Sequence, residues 1–334
     1  QIASGTLNVY GAFTSILNAN TDKCVFNMSG GIINMAQTSS SINNLPVFCI
    51  RNVVGSSFTM SAGDIYFPKP ASTSTYADFD ISGSNITNSV TGGTLHFGNA
   101  TTAYTYRIGT RLATLNPHIK LEGVAGTILK PLNVLGTSGF SCLSMYISTG
   151  NTLDLFDDGS SSHDMTITST YSGTNAFYLD GTFEPRLSTV TFSRAGSQTV
   201  LGSASPTPFY SLTINSGTTL IGSANMNIKA DWTNNGSYTQ GTGTVRFNGP
   251  SLESGAAANQ NIGGTTSSSF YNLIVNKPSG ILNLNRPITV GDNGGGTTTG
   301  ILTLTAGQVN LNANTLTISN PATTAISYTS GYIK

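Results

Sequence analysis

An all-β fold, wound as a parallel β-solenoid with about three short strands per coil, is what this sequence predicts. Three observations carry that reading. A ten-residue phrase recurs at intervals of about thirty residues near the start, a second and longer repeat occupies the last part, and the composition favours corners over helices. Glycine supplies 38 of 334 residues, Ser, Thr and Asn are dense, and only 8% of residues are charged, so helix-forming Lys and Glu are too scarce to build amphipathic helices.

The phrase appears as Phe26 to Met35, Phe58 to Phe67 and Asn88 to Phe97, spaced by 32 and 30 residues. Each copy places a Gly-containing corner between a short polar strand and a short alternating strand, which is turn chemistry followed by a period of two. Val47-Phe48-Cys49-Ile50 and Asp78-Phe79-Asp80-Ile81 correspond at an offset of 31, so one unit of about thirty residues holds about three strands. Residues 1–187 are read as coils of this kind.

From 188 onward the repeat is longer. Ser188 to Phe192, Gln198 to Gly202 and Phe209 to Asn215 match Gly243 to Phe247, Gln260 to Gly264 and Phe270 to Asn276, with offsets of 55, 62 and 61. Order is kept while the loops stretch, as in stacked rungs that have diverged. Further on, Leu302 to Thr305, Val309 to Asn312 and Leu316 to Ser319 alternate in short bursts, with Leu304, Leu311 and Ile318 seven apart, the length of one strand and one corner. Residues 1–334 are therefore expected to form one continuous solenoid of roughly a dozen coils, about 50 to 60 Å long at about 4.8 Å per coil. Its interior should hold Ile65, Phe67, Leu95, Phe97, Val190, Phe192, Leu212, Ile214, Val245, Phe247, Leu273, Val275, Leu302 and Leu304. Asn310, Asn312 and Asn314 suggest side-chain ladders between rungs.

The run from Asp231 to Gly249, the Gln260 to Gly264 segment, the Phe270 to Asn276 strand and the phrase from Thr91 to Gly98 resemble large secreted and cell-surface repeat proteins of the Bacteroidota. The resemblance covers most of 26–100 and nearly all of 188–334. It implies a right-handed parallel β-helix, exported by the type IX route with a C-terminal sorting domain and serving as an adhesin, stalk or surface fibre. That sorting domain is not in this sequence. Members of the phylum carry O-glycans on Asp-Ser or Asp-Thr, and here no Asp precedes Ser or Thr.

Equal numbers of acidic and basic residues, 14 each, leave neither a phosphate-binding face nor an acidic tail, which argues against nucleic acid as a partner. No run of 18 or more apolar residues and no export signal is present. The strands at Gly5 to Tyr10 and Ala325 to Tyr328 lack polar caps, so the expectation is a piece of a longer protein whose open ends meet copies of itself or neighbouring domains. Cys24, Cys49 and Cys142 form no metal-ligand spacing; they read as small buried hydrophobes, with a Cys24–Cys49 disulfide as the alternative.

The densest ionisable cluster runs from Asp154 to Asp164. Phe156 sits where a calcium loop needs its second ligand, and Asp157 and Asp158 point to opposite sides of an extended chain. The cluster is read as a solvated turn, with Asp157, Asp158 and Asp164 as weak metal candidates and no catalytic pair. His96, in an alternating strand, is expected to face solvent, and His118, after Pro117, to lie in a turn; neither has a carboxylate cluster nearby. Trp232 with Tyr238, and the Phe209-Tyr210 and Phe270-Tyr271 pairs, could stack on sugars, but packing of one inward ring explains each. No hydrolase, phosphate-loop or metalloprotease motif occurs. No cofactor is expected. The leading expectation is a non-enzymatic structural or adhesive segment at the cell surface, with cell-surface glycans as candidate ligands. The alternative is a carbohydrate-binding or polysaccharide-processing β-helix, favoured if carboxylates gather on one face beneath a groove.

Overall fold

The structure, a computed structural model, describes residues 1–14, 23–35, 46–51, 53–71, 75–81, 85–110, 115–133, 139–157, 161–203, 205–222, 224–249, 258–293 and 295–334. It is all-β, with no helix among the described residues, and its parallel sheets wind into a β-solenoid. The chain forms two compact units, Gln1–Tyr171 with Leu179–Glu184, and Ser172–Tyr178 with Pro185–Lys334.

In the first unit the spacing of the ten-residue phrase is the register of the ladder. Phe26 pairs with Phe58 and Ile33 with Ile65; Phe58 then pairs with Asn88, and Ile65 with Leu95. Phe48, Cys49 and Ile50 pair with Phe79, Asp80 and Ile81, as the offset of 31 requires. The first two phrases are bent strands, Val25–Asn34 and Ser57–Phe67, whose halves meet at a glycine corner, and the third is split there into Thr87–Val90 and Thr94–Phe97. The first half of the phrase is not polar: Phe26, Met28, Phe58 and Met60 all point into the core. Gly63 shows why the corner needs glycine. Its φ of +92° is a left-handed conformation, and a Cβ there would lie 2.8 Å from the carbonyl oxygen of Gly31 on the coil below.

A third ladder completes each coil, running through Phe48–Ile50, Phe79–Ile81, Thr105–Thr110, Ile128–Asn133, Thr152–Asp154 and Thr182–Glu184. Inward rings stack along the ladders. Phe13 lies on Phe48 at 4.9 Å, Phe48 on Phe79 at 5.2 Å, Phe26 on Phe58 at 5.2 Å and Phe67 on Phe97 at 4.9 Å. Across the interior the columns meet edge to face, as Phe58 meets Phe79 at 5.6 Å. A buried Phe contributes about 2 to 3 kcal/mol through its area, and aromatic pairing adds about 1 kcal/mol. Those columns therefore outweigh anything the few charged residues supply.

The second unit repeats the three-strand cycle. One ladder runs Val190, Leu212, Trp232, Ile262, Leu284; another runs Phe209, Ile228, Phe247, Val275, Leu304, Tyr328. Phe192 and Phe247 are both fully buried, yet they lie in different ladders. The strand Thr244–Asn248 comes eight strands after Thr189–Phe192, one short of three full coils. The longer repeat is thus a likeness of phrases and not of coil positions. Every interior residue named from the sequence is buried. Around the last coil, however, Val309 and not Leu311 supplies the inward side chain.

Candidate functional site

The outer surface of the first unit gathers ionisable groups. Alternation turns Ile65, Phe67, Leu95, Phe97, Ile119 and Leu121 inward, so the intervening residues point out. Register then aligns Tyr66, His96, Lys120 and Tyr146 across four coils, with Asp64, Thr94 and His118 in the adjoining column. The His96 ring stacks on Tyr66 with centroids 4.1 Å apart. Its Nε2 lies 3.0 Å from Asp64 Oδ1, and its Nδ1 meets Glu122 Oε1. Lys120 Nζ sits 4.4 Å from the centre of the Tyr171 ring, which stands edge-on to His118 at 5.4 Å. His118 Nδ1 is 2.7 Å from Ser144 Oγ.

The electrostatics follow from these contacts. The hydrogen bond from His96 holds the Glu122 carboxyl below its ordinary value despite partial burial. Burial raises the Tyr66 hydroxyl, helped by Asp64 and Glu122. Burial, with Lys120 adding to it, pushes His118 down to about 4, so this ring is neutral at physiological pH. Burial works against the Lys120 charge, but the Tyr171 hydroxyl and the two carboxylates outweigh it and raise its pKa.

Two expectations fail here. His96 is 7% exposed and does not face open solvent, and two carboxylates reach it from neighbouring coils. His118 opens the strand His118–Leu121 and is not in a turn. The signal was in the sequence: aligning the phrases puts Tyr66 beside His96, with Asp64 two residues earlier. An outward position on a strand is not thereby solvated, because side chains on adjacent rungs cover one another.

The acidic loop turns out differently. Phe156 and Ser162 form an antiparallel bridge. Asp157 is 6% exposed; its Oδ1 accepts the Ser161 amide at 2.8 Å and its Oδ2 lies 3.0 Å from Nε2 of the fully buried His163. It is a buried closure of the loop and not part of a solvated turn. Asp158 lies outside the described residues. Asp164 is exposed at the start of the strand Asp164–Ile167, while Asp154 is buried, accepts the Phe156 amide at 3.2 Å and lies 3.8 Å from Lys130 Nζ. Among the described residues no group of three or more His, Cys, Asp or Glu side chains is placed to hold a metal ion.

Trp232 is fully buried, donates to Ser268 Oγ at 3.0 Å and meets Tyr238 and Phe270 edge to face. Phe209 and Phe270 are buried while Tyr210 and Tyr271 are partly exposed, so these pairs are packing elements with one outward ring. Cys24 immediately precedes the strand Val25–Asn34, Cys49 pairs in register with Thr14 and Asp80, and no disulfide joins the cysteines.

On the outer surface of the second unit, amides link rung to rung. Asn261 donates to Asp231 at 2.9 Å, Asn283 to Asn261 at 3.3 Å, Asn310 to Asn283 at 3.2 Å and Asn312 to Asn285 at 3.2 Å. Asn314 bonds instead to the Leu284 carbonyl at 2.7 Å. These features define a parallel β-solenoid with aromatic inner columns, an outer amide ladder and an outer carboxylate–imidazole cluster. No protein-family model, curated protein or solved structure matches the chain.

Proposed function

We propose that the chain is a non-enzymatic structural and adhesive segment of an extracellular filament or cell-surface protein, of the kind its resemblance to Bacteroidota surface proteins implies. The supporting observation is the double reinforcement between coils. Backbone ladders are backed by stacked inner rings in the first unit and, on the outside of the second unit, by the Asp231, Asn261, Asn283 and Asn310 chain. Links of this kind couple coil to coil, and all but the one to the Asp231 carboxylate join neutral amides, so the coils stay joined under tension and those links respond little to salt. Its partners in this reading are copies of itself or neighbouring domains of the same protein.

Negative-stain imaging of source cells, with this segment labelled by a specific antibody, tests the proposal. Label spaced along surface fibres is the expected result. Label confined to isolated soluble particles with polysaccharide-cleaving activity would replace the filament reading with an enzymatic one.

A further inference from the structure

We propose that the outer surface around Asp64, His96, Glu122 and Tyr171 is a binding site for neutral saccharides. This rests on the adhesive reading above and supplies its ligand class. The chain has 14 acidic residues, 14 basic residues and three histidines, yet Asp64, Lys120, Glu122 and two of those histidines share one outer surface. The fold does not require them there, because Asn8 and Asn34 fill the same outward column on earlier coils.

The site is also preorganised. Each carboxylate commits one oxygen to the His96 ring, which fixes both groups at a set separation. Their other oxygens, Asp64 Oδ2 and Glu122 Oε2, accept no hydrogen bond from the described residues, and the two side chains are 39% and 38% exposed. Acceptors held in place in this way suit hydroxyl donors, whose hydrogen bonds to carboxylate are charge-assisted. Tyr171 is 50% exposed beside them, anchored by Lys120 and His118, and offers a flat surface to the C–H face of a pyranose ring.

Other ligand classes fit less well. Two carboxylates set against the Lys120 ammonium leave no excess positive charge to hold phosphates or acidic sugars. A divalent cation would have to compete with the imidazole already seated between the carboxylates, and the geometry offers no set of three ligands. An apolar ligand would strip water from the carboxylates without returning a hydrogen bond. A neutral polyol both donates to the carboxylates and covers the ring.

The test uses the chain of residues 1–334 on an array of neutral and acidic oligosaccharides, followed by calorimetric titration of the best neutral binder. Selective retention of neutral glycans is expected, with Glu122→Gln and Tyr171→Ala each weakening affinity at least tenfold. Tyr271→Ala, which alters an outward ring of the second unit, should leave affinity unchanged. Far-ultraviolet circular dichroism confirms that each variant is folded, and Asp64→Asn serves if Glu122→Gln is not. Failure to retain any neutral glycan, retention of acidic glycans alone, or neutral binding unaffected by the variants overturns the proposal. A blank array with labelled fibres in the imaging experiment removes the saccharide site and leaves the filament reading standing.

Discussion

Lys277 offers a direct test of how this fold treats a buried charge. It follows Asn276 at a corner of the second unit, is fully buried, and donates to Gln260 Oε1 at 2.7 Å. Gln260 is itself held by a 3.0 Å bond from its Nε2 to the Ile228 carbonyl. Burial pushes the ammonium down from 10.5 to about 8. In the unfolded chain the same group keeps its ordinary value, so the folded state sheds its proton first as pH rises. Below about pH 8 both states are charged, and the cost of burying the ammonium is borne in full. Between about 8 and 10.5 that cost disappears, and stability rises with pH. A shift of this size corresponds to about 3 kcal/mol. The stability of the wild type relative to Lys277→Met should therefore increase by about 3 kcal/mol from about pH 7 to about pH 10.5. Taking the difference between the two proteins cancels the titration of other groups. Denaturant unfolding can be followed by Trp232, the single tryptophan in the sequence, which is buried in the same unit. Curves for the two proteins that run parallel across this range would refute the argument.

Asp78 should show the opposite slope. Burial raises its carboxyl from 3.8 to about 7, against the pull of the Arg107 and Ala71 amides, so the wild type should lose about 3 kcal/mol relative to Asp78→Asn as pH climbs from about 4 to about 7, read from thermal unfolding. Gly63→Ala should cost at least about 2 kcal/mol, because a left-handed φ and a clash with backbone on the coil below combine. Gly217→Ala, at φ +81° with nothing within 4 Å, should cost about half as much in the same melting assay. Asn283→Ala removes the links to Asn261 and Asn310 and should lower stability by about 1 kcal/mol, with faster amide exchange detected around residues 308–310.

The first-unit register was legible because the ten-residue phrase combines an inward pattern with a corner that tolerates only one backbone geometry. Phe26, Phe58, Ile33 and Ile65 could then be aligned without knowing the fold. The longer repeat misled for a related reason. An inward Phe followed by an outward polar residue satisfies any ladder equally well, so the likeness of Val190-Thr191-Phe192 to Val245-Arg246-Phe247 fixes which side faces in but not which ladder is occupied. The His96 cluster was half legible: alternation put the ring outside, but only the pairing of three coils brings Asp64 and Glu122 to it. The contact between Asp157 and His163 lies beside a local antiparallel bridge, which a search for repeats passes over.

The mismatch between phrase and winding in the second unit bears on how such chains can lengthen. Since the interior accepts the same phrase at different stations around the axis, a copied stretch of gene need not span whole turns to be accommodated. Any addition made of complete strand-and-corner modules keeps hydrophobic groups inside while rotating everything downstream by a fraction of a revolution. Surface patches assembled from several turns, such as the one around His96, are what that rotation would scramble. Growth therefore spares the scaffold and puts its selective pressure on the decorated exterior.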